Sequence, residues 1–421
     1  MNHRLPVRSS RVVLAAILLL SLSTAGLLLS VEGGASESVS QEPVSQEPAL
    51  EIPEAAVATN AGARRLILVI GDGMGAEQLK AASLYKTGRE EGLVLQSLPV
   101  RADVETGSAS HSVTDSAAAG TALATAVKVQ NGVVGLRFPG DGGELVAITE
   151  ELKEQGWAIG LVTTAFTTHA TPAAFGAHVR SRIDYAGIAR DYLSGLRPEI
   201  ILGGGGHGMD PQKVTRAGYT VVRDAGGLAR ESVSVSPGGR IAGLFGQGHL
   251  PYLYDGRPEE TPSLVEMAEA AVDFLARDEE GFFLMIEGAR IDHAGHANDI
   301  DRLIPEVLEL DAVVEMLLSH PLLQEDTLLV VTADHETGGL SVTGNGGRSV
   351  VPEVTWSTTK HTAAKVPLFA TGVGAETLAD VVDNTLLRGA MIASLGPLPA
   401  MERLADVATP LSPEERAASL P

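Results

Sequence analysis

No cysteine occurs among the 421 residues of this chain. That excludes a thiolate nucleophile, a thiolate metal site, any disulfide and a lipoprotein anchor, and it leaves the redox compartment unreadable from cysteine usage. Basic charge is scarce too: 31 Lys and Arg stand against 53 Asp and Glu, a formal charge of −22. A surface this negative repels a polyphosphate backbone, which argues against a nucleic-acid partner, although bound cations can compensate it locally. Internal repetition is confined to VSQEP, at 39–43 and again at 44–48. What the chain does have is apolar residues, 44% of the total, enough at this length to bury a substantial α/β core.

Arg4, Arg8 and Arg11 precede an apolar stretch from Val12 to Ser30, which is followed by Gly33, Gly34 and Ala35. This reads as a secretory leader over 1–35 and predicts an exported protein, periplasmic or extracellular. The same stretch is long enough to stay as a membrane anchor if it is not cleaved. Residues 36–62, rich in Ser, Gln, Glu and Pro, bury too little to fold and read as a tether. A catalytic-type domain is expected over 63–396, with a tail at 397–421. Its apolar runs, LILVI at 66–70, AIGLVTT at 158–164, EIILGG at 199–204, FFLMIE at 282–287, TLLVVTA at 327–333 and VPLFA at 366–370, predict buried, mostly parallel strands. Helical spacing predicts a helix over 263–276 with Thr261 as N-cap and Pro262 at its first position, and another over 142–156 closed by Gly156. The fold class is therefore α/β, a doubly wound, mostly parallel sheet flanked by helices, with ligands gathered at the carboxyl ends of the strands.

Chemistry-bearing residues sit at those ends. Asp72 leaves the first run among Gly71, Gly73 and Gly75, where the backbone can turn tightly and bring a carboxylate to a ligand. Asp334 and His335 leave LLVVTA together. Glu287 ends FFLMIE, where burial without a cation or other partner is costly. Asp292 and His296, four apart, share one face of a helical turn. Oxygen donors with imidazole suit zinc, and the all-oxygen subset suits magnesium. Ser116, in VTDSAAAGTA at 113–122, is placed near the start of a helix, where anions are favoured. It reads either as a cap or as a nucleophile whose hydroxyl is activated by a bound ion. Arg182, in HVRSR, offers a fork that matches two phosphoryl oxygens. His207 and His249 are expected to serve loops or packing, as are Trp157 and Trp356, the latter close to His361 in the sequence.

Together these strings resemble alkaline phosphatase across nearly all of residues 64–396. The resemblance implies metal-dependent hydrolysis of small phosphate monoesters, with broad specificity at alkaline pH, through a phosphoserine on Ser116, releasing inorganic phosphate. It implies two zinc ions, one on Asp292, His296 and His361 and one on Asp72, Asp334 and His335, and one magnesium ion on Asp72, Glu287 and Thr171. Asp115 would support the serine, Arg182 would hold phosphate, Lys128 would make a structural ion pair, and the chain would form a homodimer. Two positions depart from the best-studied bacterial members: His169, in THATPAA, stands where they carry an aspartate near the magnesium, and His293 where they carry a lysine near the phosphate. These two departures bear on the occupant of the third metal site and on the grip on product phosphate. The alternatives are a phosphodiesterase of the same superfamily and a non-catalytic envelope protein that binds phosphate or metal. A sulfatase is disfavoured because neither a CxPxR-like nor an SxPxR-like string is present.

Overall fold

The structure is a computed structural model that describes residues 62–395. The leader, the tail and all but the last residue of the tether lie outside the described residues. Thirteen strands are present in the described chain: β1 Arg65–Gly71, β2 Val100–Val104, β3 Ala158–Phe166, β4 Ile200–Gly204, β5 Thr220–Val222, β6 Ile241–Leu244, β7 Phe282–Gly288, β8 Thr327–Thr332, β9 Glu336–Thr337, β10 Leu340–Gly344, β11 Glu353–Trp356, β12 His361–Thr362 and β13 Val366–Gly372. Nine form one sheet in the order β2-β13-β8-β1-β7-β3-β4-β6-β5. Neighbours from β8 to β5 pair in parallel, whereas β13 runs antiparallel to both β8 and β2. The run VPLFA is thus the antiparallel member of a mostly parallel sheet.

β3, β4, β7 and β8 are buried along their whole length, and β1 is buried after its first residue. A strand with no exposed alternate positions has both faces covered, which is why these segments read as continuous apolar runs rather than alternating ones. Helices Leu264–Leu275 and Ile300–Ser319 pack on each other and on the central strands, and helices Ser116–Thr125, Ala170–Ala174 and Asn384–Ser394 form a second packed group. Among the described residues no helix is long and apolar enough to cross a membrane.

Two helix starts differ from expectation. The helix at 264–275 is capped by Ser263, whose hydroxyl accepts from the Glu266 amide while Glu266 reaches back to the Ser263 amide. This reciprocal box satisfies two amide donors and outcompetes the Thr261–Pro262 start. The expected helix over 142–156 covers only Ile148–Glu154, because Glu144 and Leu145 are drawn into extended pairing with Leu136 and Gly135. Gly156 does close it, with φ +90°.

Candidate metal centre and nucleophile

Strands β8, β1, β7 and β3 are neighbours, so residues at their carboxyl ends converge across long stretches of sequence, as Gly73 and Asp334 do over 261 positions. The turn after β1 is knitted to the end of β8: Asp334 Oδ1 accepts from the Gly73 amide (3.1 Å) and from the His335 amide (2.9 Å). Gly73 has φ +75°, and a Cβ there would lie 2.8 Å from Asp292 Cα, so glycine alone allows this approach.

Three groups of potential ligands result: Asp72, Asp334 and His335; Asp292, His296 and His361; and Asp72, His169 and Glu287. In the first, His335 Nε2 lies 3.2 Å from Asp334 and 3.6 Å from Asp72. In the second, His296 Nε2 and His361 Nε2 are 3.0 Å apart, each 3.4 Å from an Asp292 oxygen. Their other ring nitrogens face backbone carbonyls, His296 Nδ1 that of Thr359 (2.7 Å) and His361 Nδ1 that of Thr114 (2.9 Å). A carbonyl only accepts, so both Nδ1 atoms donate, and the two Nε2 lone pairs point at one another. Positive charge between them relieves this, either a proton on His361 Nε2 shared with Asp292 or a metal ion, and a ligating histidine held through its other nitrogen by a carbonyl is the usual support for a metal.

Unpartnered atoms give the same answer. Both oxygens of Asp72, Asp334 Oδ2, Glu287 Oε1, His169 Nδ1 and Thr171 Oγ are buried without a hydrogen-bond partner. Buried acceptors left in this state each cost on the order of 1–3 kcal/mol, more when charged, unless an ion takes them. Burial first, then the charges of Asp334, Asp292 and Glu287, push the Asp72 carboxyl well above its usual range. Burial and then Asp292 push Asp334 up to about 7. Burial acts to raise Asp292 as well, but its bond to His361 and the surrounding imidazoles outweigh that and hold it below the usual range. Crowded carboxylates with raised pKa values are what a cation site looks like before its charge is balanced.

Ser116 adjoins the first group, its Oγ 3.3 Å from His335 Nε2 and its side chain buried. It is the first residue of the helix Ser116–Thr125, and the cap is Asp115, whose Oδ1 accepts from the Ala118 amide (3.1 Å) and the Gly132 amide (3.0 Å). The capping alternative for Ser116 is therefore set aside, and its hydroxyl sits at the positive end of the helix against His335. Asp115 Oδ2 takes Arg182 Nη1 at 3.0 Å, and Arg182 Nη2 lies 3.3 Å from His169 Nε2. A guanidinium only donates, so His169 accepts at Nε2 and carries its proton on Nδ1, which faces Glu287 at 3.9 Å. In this tautomer His169 offers the third group a proton rather than a lone pair, so oxygens of Asp72, Glu287 and Thr171 are the donors a cation there could take, whereas the expected role of His169 as a metal ligand would need the other tautomer.

His293 lies on the helix Arg290–His296 with its ring 5.9 Å from that of His169, and Arg290 Nη1 donates to its Nδ1 at 3.0 Å. His207 stacks on Phe166 at 3.9 Å, whereas His249 packs against His293 at 4.3 Å, closer to the centre than its sequence context suggests. Trp356 packs over Gly338, and Lys128 pairs with Asp383 at 3.1 Å. Sequence reading does not single out Gln78, Thr163, Glu336 or Thr337. Thr163 donates to Glu287, and Thr337 Oγ donates to Asp292 Oδ1. Glu336 and Thr337 stand directly after Asp334 and His335, and that adjacency was the available signal.

The alkaline phosphatase family model matches residues 63–351. Alkaline phosphatase 3 of Bacillus subtilis is 35% identical over 67% of this chain, but the chain spans only 63% of that protein's length. Streptomycin-6-phosphate phosphatase of Streptomyces griseus is 33% identical over 82% of this chain and 94% of its own length. Among solved structures, a histidine-to-aspartate mutant of the alkaline phosphatase from the Antarctic bacterium TAB5, with Mg bound in its M3 site, superimposes with a TM-score of 0.70 at 26% identity, covering 79% of this chain and 98% of the other. A model match over more than half of the chain, with relatives above 30% identity along most of it, places the chain in the alkaline phosphatase family.

Proposed function

We propose that this chain hydrolyses small phosphate monoesters at alkaline pH, with broad specificity, through a phosphoserine on Ser116, and that it holds two zinc ions and one magnesium ion. The observation that carries the reading is the uncapped Ser116 hydroxyl, 3.3 Å from His335 and at a helix N-terminus between unpartnered carboxylates and Arg182. Zinc would be held by Asp72, Asp334 and His335 and by Asp292, His296 and His361, and magnesium by Asp72, Glu287 and Thr171. When bound, these ions supply positive charge that lowers the serine hydroxyl pKa and offsets the negative charge of the phosphoryl oxygens.

The residues do the rest. Arg182, oriented by Asp115, binds two phosphoryl oxygens with its fork and turns away from His169 to do so. Ser116 Oγ forms a bond to phosphorus as the ester P–O bond breaks, the hydroxyl proton is released, and the alcohol departs with a proton from solvent. Water then attacks the same phosphorus, the Oγ–P bond breaks, Ser116 regains its proton and inorganic phosphate leaves. Amides at the start of the helix favour the phosphate in both steps. His293 donates through Nε2, because Arg290 occupies Nδ1, and that proton is available to a phosphate oxygen. The reading extends to export through the leader at 1–35 and to a homodimer, as the resemblance implies.

Assaying an aryl phosphate at alkaline pH, with an aryl phosphodiester alongside, tests this reading. Monoester turnover that is abolished by a chelator and restored by zinc with magnesium is expected, together with phosphate label on Ser116. Faster diester cleavage, full activity after verified metal removal, or tight phosphate retention without turnover contradicts it.

A further inference from the structure

Behind the ligand groups lies a hydrogen-bond hub that the phosphoryl chemistry does not use. Glu336, buried on β9, accepts four donors: Oε1 takes Gln78 Nε2 (2.7 Å) and the Leu340 amide (3.3 Å), and Oε2 takes the Gly339 amide (3.2 Å) and the Thr362 hydroxyl. Gln78, also buried, donates to the Thr337 carbonyl (2.8 Å) and accepts from the Gly75 amide (3.1 Å). One carboxylate and one amide therefore join three pieces of chain: the turn that carries Asp72, the segment that follows Asp334 and His335, and β12, which carries His361. The fit is tight, since a Cβ on Gly75 would lie 2.5 Å from Glu336 Cγ.

The ligands differ in how much they depend on this hub. Asp72, Asp334 and His335 leave long central strands and are tied by the Gly73 and His335 amides. Asp292 and His296 share one helix. His361 sits on a strand of two residues whose only strand partner among the described residues is β9, through His361↔Thr337 and Thr362↔Glu336. Its ring is held by the Thr114 carbonyl, and its backbone by the short β9–β12 pairing in which Glu336 holds the neighbouring Thr362.

We propose that Glu336, with Gln78, is a positioning residue that sets where His361 stands and thereby how tightly the Asp292, His296 and His361 group holds its zinc. This rests on the reading that both groups hold zinc. Outer partners of metal ligands typically change affinity by about 10–100-fold, and of the pieces the hub joins, the two-residue β12 has the least other pairing to hold it, so the loss falls on the His361 site.

The test is a zinc titration of chelator-treated full-length chain against a chromophoric competitor, for the wild type, Glu336→Gln, Thr362→Val and His361→Ala. Glutamine keeps the shape of Glu336, but in either orientation its NH2 faces an amide or side-chain donor. His361→Ala identifies which of the two affinities belongs to its group. The expected result is two zinc ions per wild-type chain, a ~10–100-fold loss at the His361 site alone in Glu336→Gln, and a smaller loss at that site in Thr362→Val, with unchanged far-UV circular dichroism. Wild-type affinities in both variants, or equal weakening at both sites, overturns the proposal while leaving the function standing. If Glu336→Gln fails to fold, Thr362→Val decides by the same criterion. A wild-type chain that binds no zinc overturns the metal reading itself.

Discussion

Without metal, and at alkaline pH, replacing Asp334 by asparagine is expected to stabilise the protein. Burial, then the charges of Asp292 and Glu287, raise this carboxyl to about 7, against about 3.9 in an unfolded chain. An acid whose folded pKa is raised contributes stability that is fully present below the unfolded pKa and is lost as pH rises through the folded one. The gap of about 3 units, at about 1.4 kcal/mol each, sets the loss at roughly 4 kcal/mol by pH 8.5. Asparagine avoids it: the amide oxygen can keep both bonds that Oδ1 accepts, from the Gly73 and His335 amides, and the charge on the unpartnered Oδ2 is gone. Urea denaturation of chelator-treated wild type and Asp334→Asn at pH 5 and pH 8.5 reads the effect. The lead of the variant is expected to grow by roughly 2 to 3 kcal/mol between the two. Saturating zinc should reverse the order, because an ion that binds only the folded state stabilises the chain that still has its ligand. A lead that does not grow with pH, or a variant that gains as much from zinc as the wild type, refutes the reasoning.

Ser116→Ala should lower monoester turnover by about 10⁴-fold or more and abolish phosphate labelling, measured by steady-state assay and by mass spectrometry of quenched protein. Arg182→Lys replaces a fork with a point charge and leaves Asp115 without its 3.0 Å partner, so kcat/KM should fall by about 10–100-fold, with substantially weaker inhibition by inorganic phosphate. Gly73→Ala forces φ +75° on a residue whose Cβ would crowd Asp292. It should cost about 1–3 kcal/mol of stability, read by thermal denaturation, and should lower zinc content.

The clustering of Asp72, Glu287 and Asp334 was legible because they stand at the ends of buried strands. LILVI, FFLMI and LLVV carry no polar residue, so Asp72, Glu287 and Asp334 stand out just beyond the apolar runs. Strand direction was less legible: VPLFA has the composition of the parallel strands, yet β13 runs antiparallel to both of its neighbours. Helix starts turned on local competition, as where the Ser263 and Glu266 box displaced Thr261. The supporting layer was hidden for a different reason. Glu336 follows His335 directly, but Gln78 is 258 positions away and carries no pattern until the sheet brings β1 beside β8. His169 illustrates the limit of residue type alone, since its Arg182 bond, not its identity, decides which nitrogen holds the proton.

Anomalous diffraction at the zinc edge, on crystals of chain loaded with zinc and magnesium, tests the central claim most directly. Two zinc peaks roughly 4 Å apart are expected, one among Asp72, Asp334 and His335 and one among Asp292, His296 and His361, with Ser116 Oγ beside the first. Active protein whose zinc lies elsewhere, or with no peak at either group, would contradict it.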